Sequence, residues 1–336
     1  MLPYRGALAW ATVTTLAGSL LALVVSAGLM ARFSGKGLVS DAVAAQPAFV
    51  FAVAAGAAGT VLLATRFGFP ISTTHALTGS LLGAGFVLAG ASQISYRTLG
   101  RAFLLPLVLS PVVSLVLAAG AYLALHGLRV RAGVKEETCV CVGGVEQLAA
   151  YVPGAGAVRL AGGLTVAVDS LERCERRYAG RVWGLSVHDA VTRLHVLSGG
   201  AVGFARGLND TPKIAALLLA AGPLGPTGGT LLVAVVMALG GVIAARQVAR
   251  TLSFGITGMN HGQAFSANLV TALLVTLASP MGVPVSTTHV SCGALFGIGA
   301  ASGEARWRTI AQILAAWVVT LPCGALIAAA AAILHT

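Results

Sequence analysis

Long apolar runs separated by short polar breaks dominate the chain, with apolar segments near 7–31, 47–65, 101–127, 195–221, 227–249, 262–280 and 309–334. About 20 apolar residues suffice for a helix to cross the hydrocarbon of a bilayer, so these segments predict membrane spans. Two further apolar stretches, 71–90 and 285–301, are short, rich in glycine and preceded by a proline. Irregular backbone at membrane depth survives only where protein or a watery cavity satisfies it, so these two predict broken or re-entrant helices buried inside the bundle. Only residues 128–192 are polar enough to stand in water. Their early part, Val130 to Val168, is rich in valine and glycine and predicts short strands with Gly162-Gly163 as a turn. Asp169 to Arg181 reads as a polar helix, and Ser186-Val-His-Asp189 as a cap starting the next one.

Composition strengthens this picture. The chain is 57% hydrophobic and 9% charged, with a mean hydropathy of +0.90. Soluble domains carry about 25% charged residues, so lipid must be the solvent. The formal net charge of +11 does not point to nucleic acid, because the arginines lie at segment ends instead of on one basic face. Such flanking charge belongs to cytoplasmic loops and places the 128–192 insert on the cytoplasmic side. Seven of the ten acidic residues fall in that insert. Arg5 precedes an apolar run with no cleavage site after it, so the first segment is expected to be a retained span. Cys139, Cys141 and Cys174 share the insert. A zinc site, a redox switch and one face of a strand are all open to them, though Cys-x-Cys lacks the usual zinc spacing. Cys292 and Cys323 read as buried free thiols.

One string occurs twice. Gly68-Phe-Pro-Ile-Ser-Thr-Thr-His75 recurs as Gly282-Val-Pro-Val-Ser-Thr-Thr-His289, and Gly79, Gly83 and Gly85 align with Gly293, Gly297 and Gly299. Each copy is followed by Arg-Thr (Arg97-Thr98, Arg308-Thr309) and, 14 residues past the arginine, by Pro111 or Pro322. The predicted fold is therefore an all-α membrane protein of two homologous repeats, 1–127 and 193–336, with a small polar α+β insert at 128–192; the strings alone leave open whether the repeats are inverted. Duplicated halves are the mark of secondary transporters, which bind substrate at the repeat interface.

Within each string a proline opens a helix, so Ser72, Thr73 and Thr74, and equally Ser286, Thr287 and Thr288, fall at a helix N-terminus. Free N–H groups and the positive end of the dipole attract an anion there, and the hydroxyls add donors without fixed charge. The competing reading is that the hydroxyls only cap a buried helix end. A Ser/His nucleophile is disfavoured because the repeat supplies no orienting acid. His75 and His289 read as structural or gating groups. A second constellation is Gly207-Leu-Asn-Asp-Thr-Pro-Lys213, whose Asp210 is the one acidic residue in any predicted span. Intramembrane ionisable groups are functional candidates by default. Asp210 and Asn209 are assigned to a coupling cation or proton, beside carbonyls expected to be freed where Pro212 breaks the helix. Lys213 either lies near the anion or neutralises Asp210. Gln263 and Asn268 either line the cation path or cap a helix.

Together these motifs resemble the inorganic phosphate transporter (PiT) family. The resemblance covers both membrane halves and rests on P-I/V-S-T-T-H twice and G-x-N-D-x-x-K once. It implies a plasma-membrane symporter of inverted repeats, not an enzyme, that moves inorganic phosphate by alternating access with sodium or protons and needs no other cofactor. It implies phosphate ligands at Ser72, Thr73, Thr74, Ser286, Thr287, Thr288, Asn209 and Asp210, and a cation site at Asn209 and Asp210; Gln263 and Asn268 join the expected cation route on their polarity alone. The expected partners are phosphate, the coupling ion and the bilayer, with a homodimer admissible and no nucleic acid or structural metal. The family pattern has an Asn-Asp motif in each half, whereas residues 1–70 hold none, and Asn268 stands where an acidic residue is expected. Sulfate or a metal–phosphate complex as cargo, or a transport-dead scaffold with the insert as its output, are the alternative readings.

Overall fold

The computed structural model describes residues 3–135, 137–152, 156–177, 182–222 and 224–335. It divides into two compact units, Met1–Tyr122 with Val196–Thr336, and Leu123–His195. The first unit is helical. In chain order its elements are α1 (Tyr4–Val25), α2 (Ala27–Phe33), α3 (Asp41–Ala44), α4 (Pro47–Arg66) and α5 (Thr73–Leu88). A long helix, α6 (Tyr96–Arg131), follows and contains a π-helical stretch at Leu99–Leu104. After the second unit come α8 (Val187–Ala221), α9 (Gly225–Gly255), α10 (His261–Ala278), α11 (Thr287–Ser302) and α12 (Trp307–His335). Among the described residues, five helices are long and apolar enough to cross a membrane: α1, α4, α6, α9 and α12.

One expectation about the spans needs correction. Segment 7–31 is not one helix: it breaks at Ser26 into α1 and α2. The helices over 195–221 and 262–280 are not among the five, and the first of them carries Arg206, Asp210 and Lys213. The two proline-led stretches become α5 and α11, each of 16 residues. At 1.5 Å per residue each is about 24 Å long, short of a 30 Å hydrocarbon layer.

Glycines set how these short helices pack. A Cβ on Gly79 or Gly83 would lie 2.1 or 2.0 Å from the carbonyl oxygens of Leu321 or Ala325 on α12. A Cβ on Gly293 or Gly297 would lie 2.3 or 2.2 Å from those of Pro111 or Leu115 on α6. So α5 packs on the last helix of the chain, while α11 packs on α6, backbone against backbone. Small residues at an interface permit this approach, which in lipid takes the place of a hydrophobic driving force. A second glycine seam joins α1 to α8. There a Cβ on Gly18 would meet the Phe204 carbonyl at 1.9 Å and one on Gly207 the Thr15 carbonyl at 2.0 Å.

The second unit holds a three-stranded antiparallel sheet in the order β2–β1–β3, from β1 (Thr138–Val152), β2 (Gly156–Ser170) and β3 (Val182–Ser186). Gly162-Gly163 is not the turn: it lies inside β2, where the register shifts between Gly144 and Glu146, and so marks a bulge. The polar helix begins at Leu171, because Asp169 and Ser170 close β2, and is described over α7 (Leu171–Arg177); its expected end, 178–181, lies outside the described residues. Cys141 is disulfide-bonded to Cys174, and buried Cys139 lies two residues before Cys141 on β1. Ser186 accepts a hydrogen bond from the Asp189 N–H at 3.0 Å, the expected start of α8.

The glycine seams give a direct test. Gly79→Ala forces a methyl into the Leu321 carbonyl and should cost about 1–3 kcal/mol, as overpacking does. Gly120, on α6, has open space around it and serves as control. Thermal unfolding in detergent should show Gly79→Ala melting several degrees below the parent and Gly120→Ala close to it.

Candidate functional site

The two Ser-Thr-Thr-His strings meet at one buried point. Each follows a glycine in the left-handed region, Gly68 (φ 72°) or Gly282 (φ 67°), which turns the chain out of the preceding helix. Ser72 and Ser286 are the N-caps of α5 and α11, accepting from the His75 and His289 N–H groups at 3.0 and 3.2 Å. Both serines therefore do perform the capping role. The threonines divide: Thr74 and Thr287 are engaged across the site, whereas Thr73 and Thr288 are half-buried and their hydroxyls make no hydrogen bond among the described residues.

Helix α8 stitches the strings together. The Asn209 amide nitrogen donates to the Val285 carbonyl, to Thr287 Oγ1 and to Asp210 Oδ1, all at 3.1 Å. Its oxygen accepts from Ser279 Oγ at 3.3 Å. Lys213 Nζ donates to the Val285 carbonyl at 2.7 Å and to Thr74 Oγ1 at 2.8 Å, and lies 3.5 Å from Asp210 Oδ1. Lys213 is 0% exposed and Asp210 6%. Asp210 also lies 3.9 Å from the guanidinium of Arg206, one helical turn back. The hydroxyl of Thr74 in turn lies 3.4 Å from the Val285 carbonyl, so the first string touches the second directly.

The histidines form a second link between the strings. The Leu107 carbonyl, 3.4 Å from His289 Nδ1, can only accept, so that nitrogen carries the proton. His289 Nε2 is then the acceptor for His75 Nδ1–H at 3.2 Å. The His289 ring also packs on Trp317 with centroids 3.8 Å apart, and the Trp317 indole donates to the Pro70 carbonyl at 3.0 Å. These contacts tie the loop entering the first string to α12, and the ring in the second string to α6. Prolines set this up. Pro111 has no N–H to offer the carbonyl four residues earlier, Leu107, which His289 takes.

The same rule corrects the reading of Pro212. Helix α8 runs through Pro212 unbroken. The carbonyl it frees is that of Leu208, and the Ser26 hydroxyl donates to it at 3.3 Å, so it faces the break between α1 and α2. A hydroxyl pair, Ser19 and Thr211 at 2.7 Å, flanks this contact.

Among the described residues, no hydrogen bond of Gln263 or Asn268 reaches this point. Gln263 closes a capping box with Asn260, each side chain accepting the other's backbone N–H at 2.9 Å. Asn268 donates to Ser198 at 3.2 Å, twelve residues or about 18 Å along α8 from Asp210. Sequence reasoning missed Val285 and Ser279. The Val285 carbonyl is the commonest acceptor in the site, yet a carbonyl leaves no trace in residue type. Its place between a proline and the Ser-Thr-Thr was the available signal.

A family model described as the phosphate transporter family matches residues 1–328. The chain belongs to that family. It is 29% identical to the "Probable low-affinity inorganic phosphate transporter" of Rhizobium meliloti, over 89% of this chain and 78% of that one. It is 27% identical to a chloroplastic inorganic phosphate transporter of Arabidopsis thaliana, over 81% of this chain and 56% of that one. A solved structure titled "The sodium-dependent phosphate transporter" shares the fold, with a TM-score of 0.72, 21% identity, and coverage of 98% of this chain and 89% of that one. These relatives are transporters, not enzymes, and the chain is a multi-helix membrane protein of phosphate transport.

The Ser26–Leu208 contact yields a prediction for membrane backbone satisfaction. Ser26→Ala leaves a buried carbonyl unpaired and should cost about 1–2 kcal/mol. Pro212→Ala restores the missing N–H, so in that background Ser26→Ala should cost much less. A double-mutant cycle on detergent melting temperatures measures the difference.

Proposed function

We propose that the protein carries inorganic phosphate across the plasma membrane, coupled to a cation gradient, by alternating access of two inverted halves. The observation that carries this reading is the meeting of two helix N-termini, α5 and α11, at one point crossed by Asn209, Asp210 and Lys213. An oxyanion between them gains two positive dipole ends, the ammonium of Lys213, and the unengaged hydroxyls of Thr73 and Thr288. Arg206 and Lys213 against Asp210 leave one surplus positive charge, which an anion would neutralise. Asp210 supplies an acceptor for the proton that phosphate keeps near neutral pH and sulfate lacks, which favours phosphate as cargo.

The exchange of packing partners supports the two-half reading. The string helix of the first half rests on the last helix of the second, and the reverse holds for α11 on α6. Within each half a matching contact occurs: the Ser95 N–H donates to the Leu38 carbonyl and the Arg306 N–H to the Ile256 carbonyl, both at 2.9 Å. Rocking of such interlocked halves about a fixed site would expose it to each side in turn. Sodium or protons serve as coupling ions in this account.

Radiolabelled phosphate uptake into proteoliposomes, with sodium and proton gradients imposed separately and sulfate as competitor, checks it. Uptake should follow one of the gradients and resist sulfate. Asp210→Asn and the Ser286→Ala/Thr287→Ala pair should each lower it about tenfold or more, the loss of a buried charge-assisted contact. Gly120→Ala should transport normally. Silence of well-folded protein under both gradients would overturn the reading.

A further inference from the structure

Lys213 is better explained by its oxygens than by its charge partner. The ammonium makes its two short contacts, 2.7 and 2.8 Å, to neutral oxygens, the Val285 carbonyl and Thr74 Oγ1. The carboxylate of Asp210 is the most distant of the three, at 3.5 Å. Asp210 has a second cation, Arg206, at 3.9 Å, so its neutralisation does not require Lys213. The ammonium also lies 5.8 Å from the centre of the Phe33 ring, on the face where π electrons attract a cation. Nor does a structural ion pair explain the location. Two helix N-termini point at this spot, and their dipoles oppose a positive charge. A fully buried ammonium is costly unless oxygens replace its water. Here a carbonyl, a hydroxyl and a carboxylate do so, drawn from both strings and from α8. Such a set of hard oxygen donors would equally suit a small alkali cation.

We propose that the Lys213 ammonium is a tethered cation filling the oxygen cage of Thr74, Val285 and Asp210, so that this cage takes no free alkali cation. The proposal deepens the transport reading and rests on it for its meaning. Lys213 supplies, permanently and within the chain, the positive charge that a bound ion would otherwise bring beside the phosphate. It acts as a specificity-determining residue for the coupling ion. Any sodium that drives uptake binds elsewhere. Removing the ammonium while keeping the oxygens should open the cage to sodium.

The test is a sodium titration of melting temperature in detergent, at constant ionic strength with N-methylglucamine as the replaced cation and no phosphate present. Lys213→Asn should gain a sodium-specific rise of about 2–4 °C over any rise in the parent, when sodium reaches ten times the variant's dissociation constant. The gain should vanish in Asp210→Asn/Lys213→Asn. Lys213→Gln, longer and closer in shape, is measured in the same way should the asparagine variant not fold. Equal sodium responses of the parent and of these variants would overturn the proposal, as would a gain that survives the loss of Asp210. The titration needs no phosphate, so its result is separate from uptake. Silent proteoliposomes would remove the transport reading, whereas an unchanged sodium response would remove only the tethered cation.

Discussion

Everything in the helical unit depends on hiding one ammonium group. Lys213 has no exposed surface, and an ammonium stripped of water must find oxygen acceptors or lose its charge. Its acceptors come from three separate elements: Thr74 at the start of α5, Val285 before α11, and Asp210 on its own helix. Lys213 can be satisfied only when both strings are drawn onto α8. The glycine seams permit that approach, because α5 and α11 can reach the centre only by lying directly on the backbones of α12 and α6. Packing and electrostatics therefore impose one geometry from two directions.

Proline and serine form a second layer of the same logic. Each proline in a long helix leaves a carbonyl without its usual donor, and in an apolar surrounding such a group is costly. At two of them the protein answers with a side chain from another helix. Ser26 serves the carbonyl freed by Pro212, and His289 the one freed by Pro111. Each repair is also a tie between elements, so what would be a defect in an isolated helix becomes a contact that fixes how helices meet.

Much of the site was legible in the residues. The twin strings announced two helix N-termini, and the lone acid in any predicted span, Asp210, announced a buried polar point. The structure joins these through Asn209 and Lys213. The misreadings have common physical causes. Hydropathy runs smoothly through Ser26, so one span was expected where a hydroxyl facing α8 ends α1. Pro212 suggested a broken helix because its neighbours in space, not in sequence, supply the missing donor. Gly162-Gly163 resembled a turn but occupies a bulge, since glycine serves both and only strand register distinguishes them. For Gln263 and Asn268 the two readings, lining a path or capping a helix, rest on polarity alone; Gln263 does cap α10, and Asn268 donates to Ser198. The Val285 carbonyl leaves no mark in residue type, and only its place between Pro284 and the Ser-Thr-Thr hinted at it.

The central claim is that a single anion is held between the two strings, and calorimetric titration of phosphate into the purified protein addresses it most directly. The parent, Thr73→Ala and Thr288→Ala would be compared for stoichiometry and affinity. The account predicts one phosphate per chain, with each variant binding several-fold more weakly, since one hydroxyl comes from each half. Two phosphates per chain, or weakening confined to one of the two variants, would mean the strings do not share an anion and would contradict it.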